Sequence, residues 1–149
     1  MADYQVPLKD MNFLLFDVFN ADKLWQSLPT LAERVDRDTA EAILQGCAKI
    51  AEQEIAPLSR NGDETGVTFN AGSVTTAPGY KAAFKTYAEG GWSSLGGDPD
   101  FGGMGMPKVI TAFHEEMLCS ADISFSLYPG LTAGAGLSLA KHGSEAVAI

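Results

Sequence analysis

Apolar positions in the first sixty residues fall at helical spacing. Met11, Leu14, Leu15, Val18 and Phe19 stand at i, i+3, i+4, i+7 and i+8, which predicts one apolar helix face with Asp10 as its cap. A second stripe, Ile43, Leu44, Cys47, Ile50, Ala51 and Ile55, predicts a helix from about Asp38, where Asp38-Thr39-Ala40-Glu41 reads as a capping box. Pro57 is expected to close it, because proline has no N–H to give the preceding turn. Asn61 to Pro78 then reads as a connecting loop with a short extended piece at Val67-Thr68-Phe69. Tyr80, Ala83, Phe84 and Tyr87 form a third inward stripe, opening at Pro78 and stopped by Gly90-Gly91. Pro107 opens a fourth helix with Ile110, Phe113, Met117 and Leu118 inward, and a fifth is expected from about Pro129 to His142-Gly143. No long alternating run predicts a sheet, so the expected fold is an all-α bundle.

Composition narrows the function classes. A chain of 149 residues and 15.8 kDa suits one domain. Nineteen acidic residues against ten basic ones give a formal charge of −9, which repels phosphate backbones and anionic lipid. Nucleic-acid and membrane-surface partners are therefore disfavoured. The two cysteines form no CxxC pair, and free thiols in a reducing compartment are the simplest reading. The N-terminus has neither the basic nor the apolar region of a signal peptide. Ile123 to Ala140 carries no charge, yet its serines, glycines and Pro129 make it too polar and broken for a bilayer helix. That segment is expected to be buried in protein, and the chain to be cytoplasmic.

Most familiar sites fail on spacing. Gly102-Gly103-Met104-Gly105 and Gly134-Ala135-Gly136 both lack the later glycine of a dinucleotide fingerprint, and there is no GKS or GKT. His114 and His142 have no helical or cysteine partner, so no metal site is expected. His114 beside Glu115 and Glu116 suits a solvated helix face, and His142 suits a helix C-terminus. Cys47 reads as a small core residue. No residue is nominated as catalytic. Gly130, Gly134 and Ser138 recur every four residues, which suits either a close helix crossing or room for a narrow ligand.

Gly91-Trp92-Ser93-Ser94-Leu95 followed by Pro99-Asp100-Phe101-Gly102-Gly103-Met104-Gly105-Met106-Pro107 resembles the Gly-Trp and Tyr/Phe-Gly-Gly-x-Gly loop of flavin-dependent acyl-CoA dehydrogenases. Glu115-Glu116-Met117 with Ala121-Asp122-Ile123-Ser124, and Leu139-Ala140-Lys141-His142-Gly143-Ser144-Glu145, are similar to later parts of that family's N-terminal domain. Tyr4 and Pro7-Leu8-Lys9-Asp10-Met11-Asn12-Phe13-Leu14 resemble the opening of the larger bacterial members, the 3-methylmercaptopropionyl-CoA dehydrogenases among them. Residues 1–149 then correspond to one N-terminal helical domain, with about the first 35 as an extension typical of those larger members.

The resemblance implies α,β-desaturation of an acyl-CoA thioester by an FAD enzyme, with an electron-transfer flavoprotein or similar acceptor and a homo-oligomeric assembly. In the family the flavin lies mainly between a β-domain and a C-terminal bundle, and the catalytic glutamate comes from that bundle. Neither has a counterpart here, so the chain is expected to be a fragment, a truncated reading frame or one with an altered end, inactive alone. Ser126, Leu127, Gly130, Leu131 and Gly134 match positions of the helix that lines the family's acyl pocket. A stand-alone helical module that binds a partner or ligand without redox chemistry is the alternative.

Overall fold

A computed structural model describes residues 4–144 of the chain. The fold is all-α, with one small hairpin as the sheet among those residues. Helix α1 (Leu8–Asn12) runs on into a π-helical turn at Phe13–Val18. Two short helices follow, α2 (Ala21–Gln26) and α3 (Pro29–Ala32). The central rod is α4 (Arg37–Ile50), a second π-helical stretch (Ala51–Ile55) and α5 (Ala56–Thr65). After the hairpin of β1 (Thr68–Asn70) and β2 (Ser73–Thr75) come α6 (Tyr80–Glu89), α7 (Lys108–Ala121) and α8 (Ile123–His142).

The two π stretches account for the main departures from the expected pattern. A widened turn lengthens the apolar repeat, so Met11, Leu15, Phe16 and Ala21 are buried in place of the 3.6-residue face. Leu14, Val18 and Phe19 are exposed, and Asp10 lies inside the first turn instead of capping it. In the central rod, the widened turn brings the chain past Pro57 without a break. Pro57 stands in the first turn of α5, where a missing N–H costs least, and the helix continues to Thr65. Asn61 to Thr65, expected as loop, is therefore helix. The cap of α4 is Asp36, two residues before the expected start, and its carboxylate accepts from the Thr39 N–H at 2.7 Å.

The hairpin pairs Thr68 with Thr75 and Asn70 with Ser73, leaving Ala71 and Gly72 as a two-residue turn. Both have positive φ, 47° and 87°, as a type I′ turn requires. Helix α6 starts two residues after Pro78 and stops at Gly90-Gly91 as expected, burying Tyr80, Ala83 and Tyr87 but leaving Phe84 partly exposed. Helix α7 buries Ile110, Met117 and Leu118. Helix α8 begins at Ile123, well before Pro129, because Asp122 supplies a cap ahead of it. It contains Pro129 as an interior residue.

A single core joins Met11, Trp25 and Val35 to Leu44, Ile55, Tyr87, Ile110 and Phe125, so residues before 36 pack into the same domain. Phe16 is wedged between the edge of Trp25, 6.3 Å away at 89°, and the Arg37 guanidinium, 4.5 Å from its ring centre. The Val6 N–H donates to the Glu52 carboxylate at 2.7 Å, which pins the N-terminal arm to the central rod.

Gly46 is the only glycine in the first sixty residues, and the packing explains its place in α4. A Cβ there would lie 2.6 Å from the Trp92 ring. Gly46→Ala gains about 1 kcal/mol of helix propensity. It also overpacks a stiff indole, which costs about 2–3 kcal/mol. A net loss of about 1–2 kcal/mol is expected in chemical denaturation, with a shifted Trp92 fluorescence; a more stable variant would contradict this packing.

Among the described residues no helix is long and apolar enough to cross a membrane.

Candidate functional site

The functional candidates lie on α6, α7, α8 and the loop before α7, with Cys47 apart on α4. That loop, from Gly91 to Pro107, holds the Gly-Gly-x-Gly run singled out above. It folds back on itself: the N–H groups of Met104, Gly105 and Met106 donate to the carbonyls of Ser94, Gly97 and Leu95 at 2.9–3.0 Å. Gly103 passes directly against the Gly97 backbone, where any Cβ would collide. These glycines bring two backbone segments together and leave no phosphate cradle. Their effect is to set Trp92 over α4 and to aim α7.

Asp122 is the single extended residue between α7 and α8, with φ −163° and ψ 105°. Its Oδ1 accepts from the Phe125 N–H at 3.1 Å, and its Oδ2 accepts the Tyr80 hydroxyl proton in a short hydrogen bond. Both residues are buried, and burial together with the carboxylate pushes the Tyr80 pKa upward. Gly62 on α5 lies against that hydroxyl and leaves space for nothing larger. Sequence reasoning missed this pair. Its one legible signal was an Asp directly ahead of a long uncharged run, the pattern of a helix cap.

His114 is not on a solvated face; it is 3% exposed and packs in the core. Its ring stacks on Tyr87 at 5.7 Å and 9°, and Nε2 meets the Tyr87 hydroxyl at 2.9 Å. Trp92 covers it from another side, and Nδ1 has no protein partner. Burial pushes the imidazole pKa down to about 4, so it is neutral at pH 7. Glu115 and Glu116 are exposed, and Glu115 reaches Lys108 at 3.4 Å. Cys47 is buried, its thiol pushed up to about 12 by burial, which makes it a core residue without nucleophilic character.

The sequence-predicted strip on α8 is placed as follows. At about 100° per residue, Leu127, Gly130, Leu131 and Gly134 share one face. Phe125 and Pro129 lie opposite and are buried. The strip therefore points away from the core, contrary to the expectation that Ile123 to Ala140 is buried. Leu127 is 59% exposed and Leu131 75%, and a Cβ on Gly130 or Gly134 would meet nothing within 4 Å. Ser126 stands apart at the flank, half-buried, with its hydroxyl 3.5 Å from the Cys119 sulfur and bonded to the Ile123 carbonyl at 2.7 Å. No helix crosses the strip within the described residues, so close helix packing inside this domain does not account for its glycines.

Two surface hollows flank α6. One, about 420 Å³, is lined by Val74, Thr75, Thr76, Tyr80, Lys81, Phe84 and Tyr128. The other, about 610 Å³, is lined by Gly79, Lys81, Ala82, Phe84 and Lys85. Neither offers the set of donors that a flavin's pyrophosphate and ring nitrogens need, and the described residues do not fit that cofactor by themselves. Among them no three of His, Cys, Asp and Glu gather to hold a metal ion.

Comparison with known proteins follows the same lines. Residues 37–148 match the family model described as acyl-CoA dehydrogenase, N-terminal domain. The chain is 38% identical over 143 residues to a 3-methylmercaptopropionyl-CoA dehydrogenase of Ruegeria pomeroyi, which covers 96% of this chain and 24% of the relative. It is 33% identical over 141 residues to the broad-specificity linear acyl-CoA dehydrogenase FadE5 of Mycobacterium tuberculosis, covering 93% of this chain and 22% of that relative. The chain thus spans about a quarter of the length of the curated relatives it matches. On the family match and both identities, it belongs to the acyl-CoA dehydrogenase family, as an N-terminal domain of that fold.

Proposed function

We propose that the chain is the N-terminal helical domain of an FAD-dependent acyl-CoA dehydrogenase and that α8 supplies one wall of the acyl pocket. The observation that carries the reading is the outward strip of Leu127, Gly130, Leu131 and Gly134: apolar, uncharged, and unopposed among the described residues. A contiguous apolar face of this kind marks a surface that meets something else. The two glycines lower its profile by a side chain each, which suits an acyl chain laid along the helix. The start of the family match at residue 37 supports reading about the first 35 residues as an extension.

The division of labour follows from what the domain contains. A flavin held by other parts of the enzyme would supply the electron sink for α,β-desaturation of the thioester. Nothing in the described residues offers a tuned base, so this domain contributes binding and exclusion of water, and the base belongs to another part of the enzyme. An electron-transfer flavoprotein-type acceptor, a homo-oligomer and a cytoplasmic site of action complete the proposal.

Gly134→Phe in the enzyme that carries this domain places a ring across the strip. The expected result is about a tenfold or greater fall in kcat/KM for long acyl-CoA substrates with short ones nearly unaffected. An unchanged chain-length profile would remove the strip from the pocket. The same exposed face favours one second reading, a helical interaction module without redox chemistry. A native product that takes up flavin and turns over acyl-CoA decides against it.

A further inference from the structure

The acyl strip is not the only surface of α8 that presents apolar side chains. About a quarter-turn round the helix, Tyr128 faces the 420 Å³ groove enclosed with Tyr80, Lys81 and Phe84 of α6 and with Val74, Thr75 and Thr76 of the hairpin. We propose that this groove binds a small amphipathic monoanion, a carboxylate carried on an arylalkyl body.

The wall formed by α6 and α8 is held by packing and a hydrogen bond. The Tyr80 ring is held by the bond from its hydroxyl to buried Asp122. Phe84 and Tyr128 meet edge to face, 6.2 Å apart at 70°, and both pack on Phe125. Phe84 nevertheless stays 38% exposed, Tyr128 42% and Val74 64%, so three large apolar side chains border open space. The volume falls within the ordinary range for small-molecule sites, which are mostly apolar with a few fixed polar groups. Here the polar lining residues are Thr75, Thr76 and Lys81.

Charge selects the ligand class. The chain carries nineteen acidic and ten basic residues, yet the groove lining has a single charge, Lys81, and it is positive. Among the described residues no carboxylate is within ion-pair distance of Lys81. The adjoining hollow shares Lys81 and Phe84 and adds Lys85, whose ammonium is paired with Glu89 at 3.7 Å, so Lys81 is the free cation of the two among the described residues. Asp122 lies behind Tyr80 with both oxygens already accepting hydrogen bonds. An apolar body on the rings with its carboxylate at Lys81 matches the apolar walls and the one charge of the groove.

The test is a backbone amide NMR titration of the 149-residue chain with 3-phenylpropionate, and with 3-phenylpropanol as the uncharged probe of the same body. Saturable shifts confined to residues 74–76, 80–85 and 128 are expected for the carboxylate. Lys81→Glu, an exposed substitution that leaves the core alone, should weaken the carboxylate about fivefold and leave the alcohol unchanged. Lys49→Glu changes net charge equally at a distance and should change neither. Shifts centred on Leu127, Gly130, Leu131 and Gly134, no saturation, or equal effects of Lys81→Glu and Lys49→Glu would each overturn the proposal. The first of these outcomes would leave the acyl-wall reading standing, and the Gly134→Phe profile tests that reading separately.

Discussion

Asp122→Ala is expected to lower the stability of the chain by about 3 kcal/mol, a large share of what a domain of this size has. Two losses combine. The cap on α8 disappears when the Phe125 N–H loses its acceptor, which costs about 1 kcal/mol. The buried Tyr80 hydroxyl loses its charged partner as well, worth about 1.5–3 kcal/mol. Melting should fall by about 10 °C for a chain of this length. Tyr80→Phe keeps the cap and removes only the second term, so about 2 kcal/mol is expected. Asp122→Asn, a good cap residue, should lose least. The pair also sets an alkaline limit. Because the Tyr80 pKa is raised on folding, its stabilising effect is complete below the unfolded value near 10 and is lost as pH rises beyond it. Equal stabilities for wild type and Asp122→Ala would show that α8 is held by its apolar contacts alone.

Legibility tracked the physics of each element. The stripes of α4, α6 and α7 were readable because one regular period holds over ten or more residues against one core. Where the period changed, the reading failed: the π turns at Phe13–Val18 and Ala51–Ile55 stand at buried Phe16 and just before Pro57, and no propensity scale encodes a widened turn. The hairpin was half-read, its extended start visible in Val67-Thr68-Phe69 but its turn hidden, since Ala71 is an unusual residue at positive φ. For the candidate site, the outward strip could be named but not oriented. Leu127 and Leu131 look like core residues by composition, and only the opposing burial of Phe125 and Pro129 turns them outward. The Tyr80–Asp122 bond joins residues 42 apart in sequence, beyond the reach of any local pattern.

Acidification should expose the cost of burying His114. An unfolded histidine titrates near 6.5, whereas in the fold burial pushes this one down to about 4. A depressed pKa means that stability is complete above about pH 6.5 and drains away as pH falls toward 4, because the unfolded chain binds the proton first. A gap of this size corresponds to about 3 kcal/mol between pH 7 and pH 4. The physical source is specific. A second ring proton would place a charge on an imidazole whose Nδ1 faces no acceptor, in a pocket closed by Trp92 and by the Tyr87 ring stacked at 5.7 Å. His114→Phe keeps the stack and removes the titration. It leaves the Tyr87 hydroxyl without its partner and should be less stable at pH 7 by about 1–2 kcal/mol. Between pH 7 and pH 4, however, its denaturation free energy should fall by about 3 kcal/mol less than that of wild type, so the two curves cross. Parallel pH profiles would mean that the imidazole finds an acceptor on protonation and that the acid sensitivity lies in the carboxylates instead.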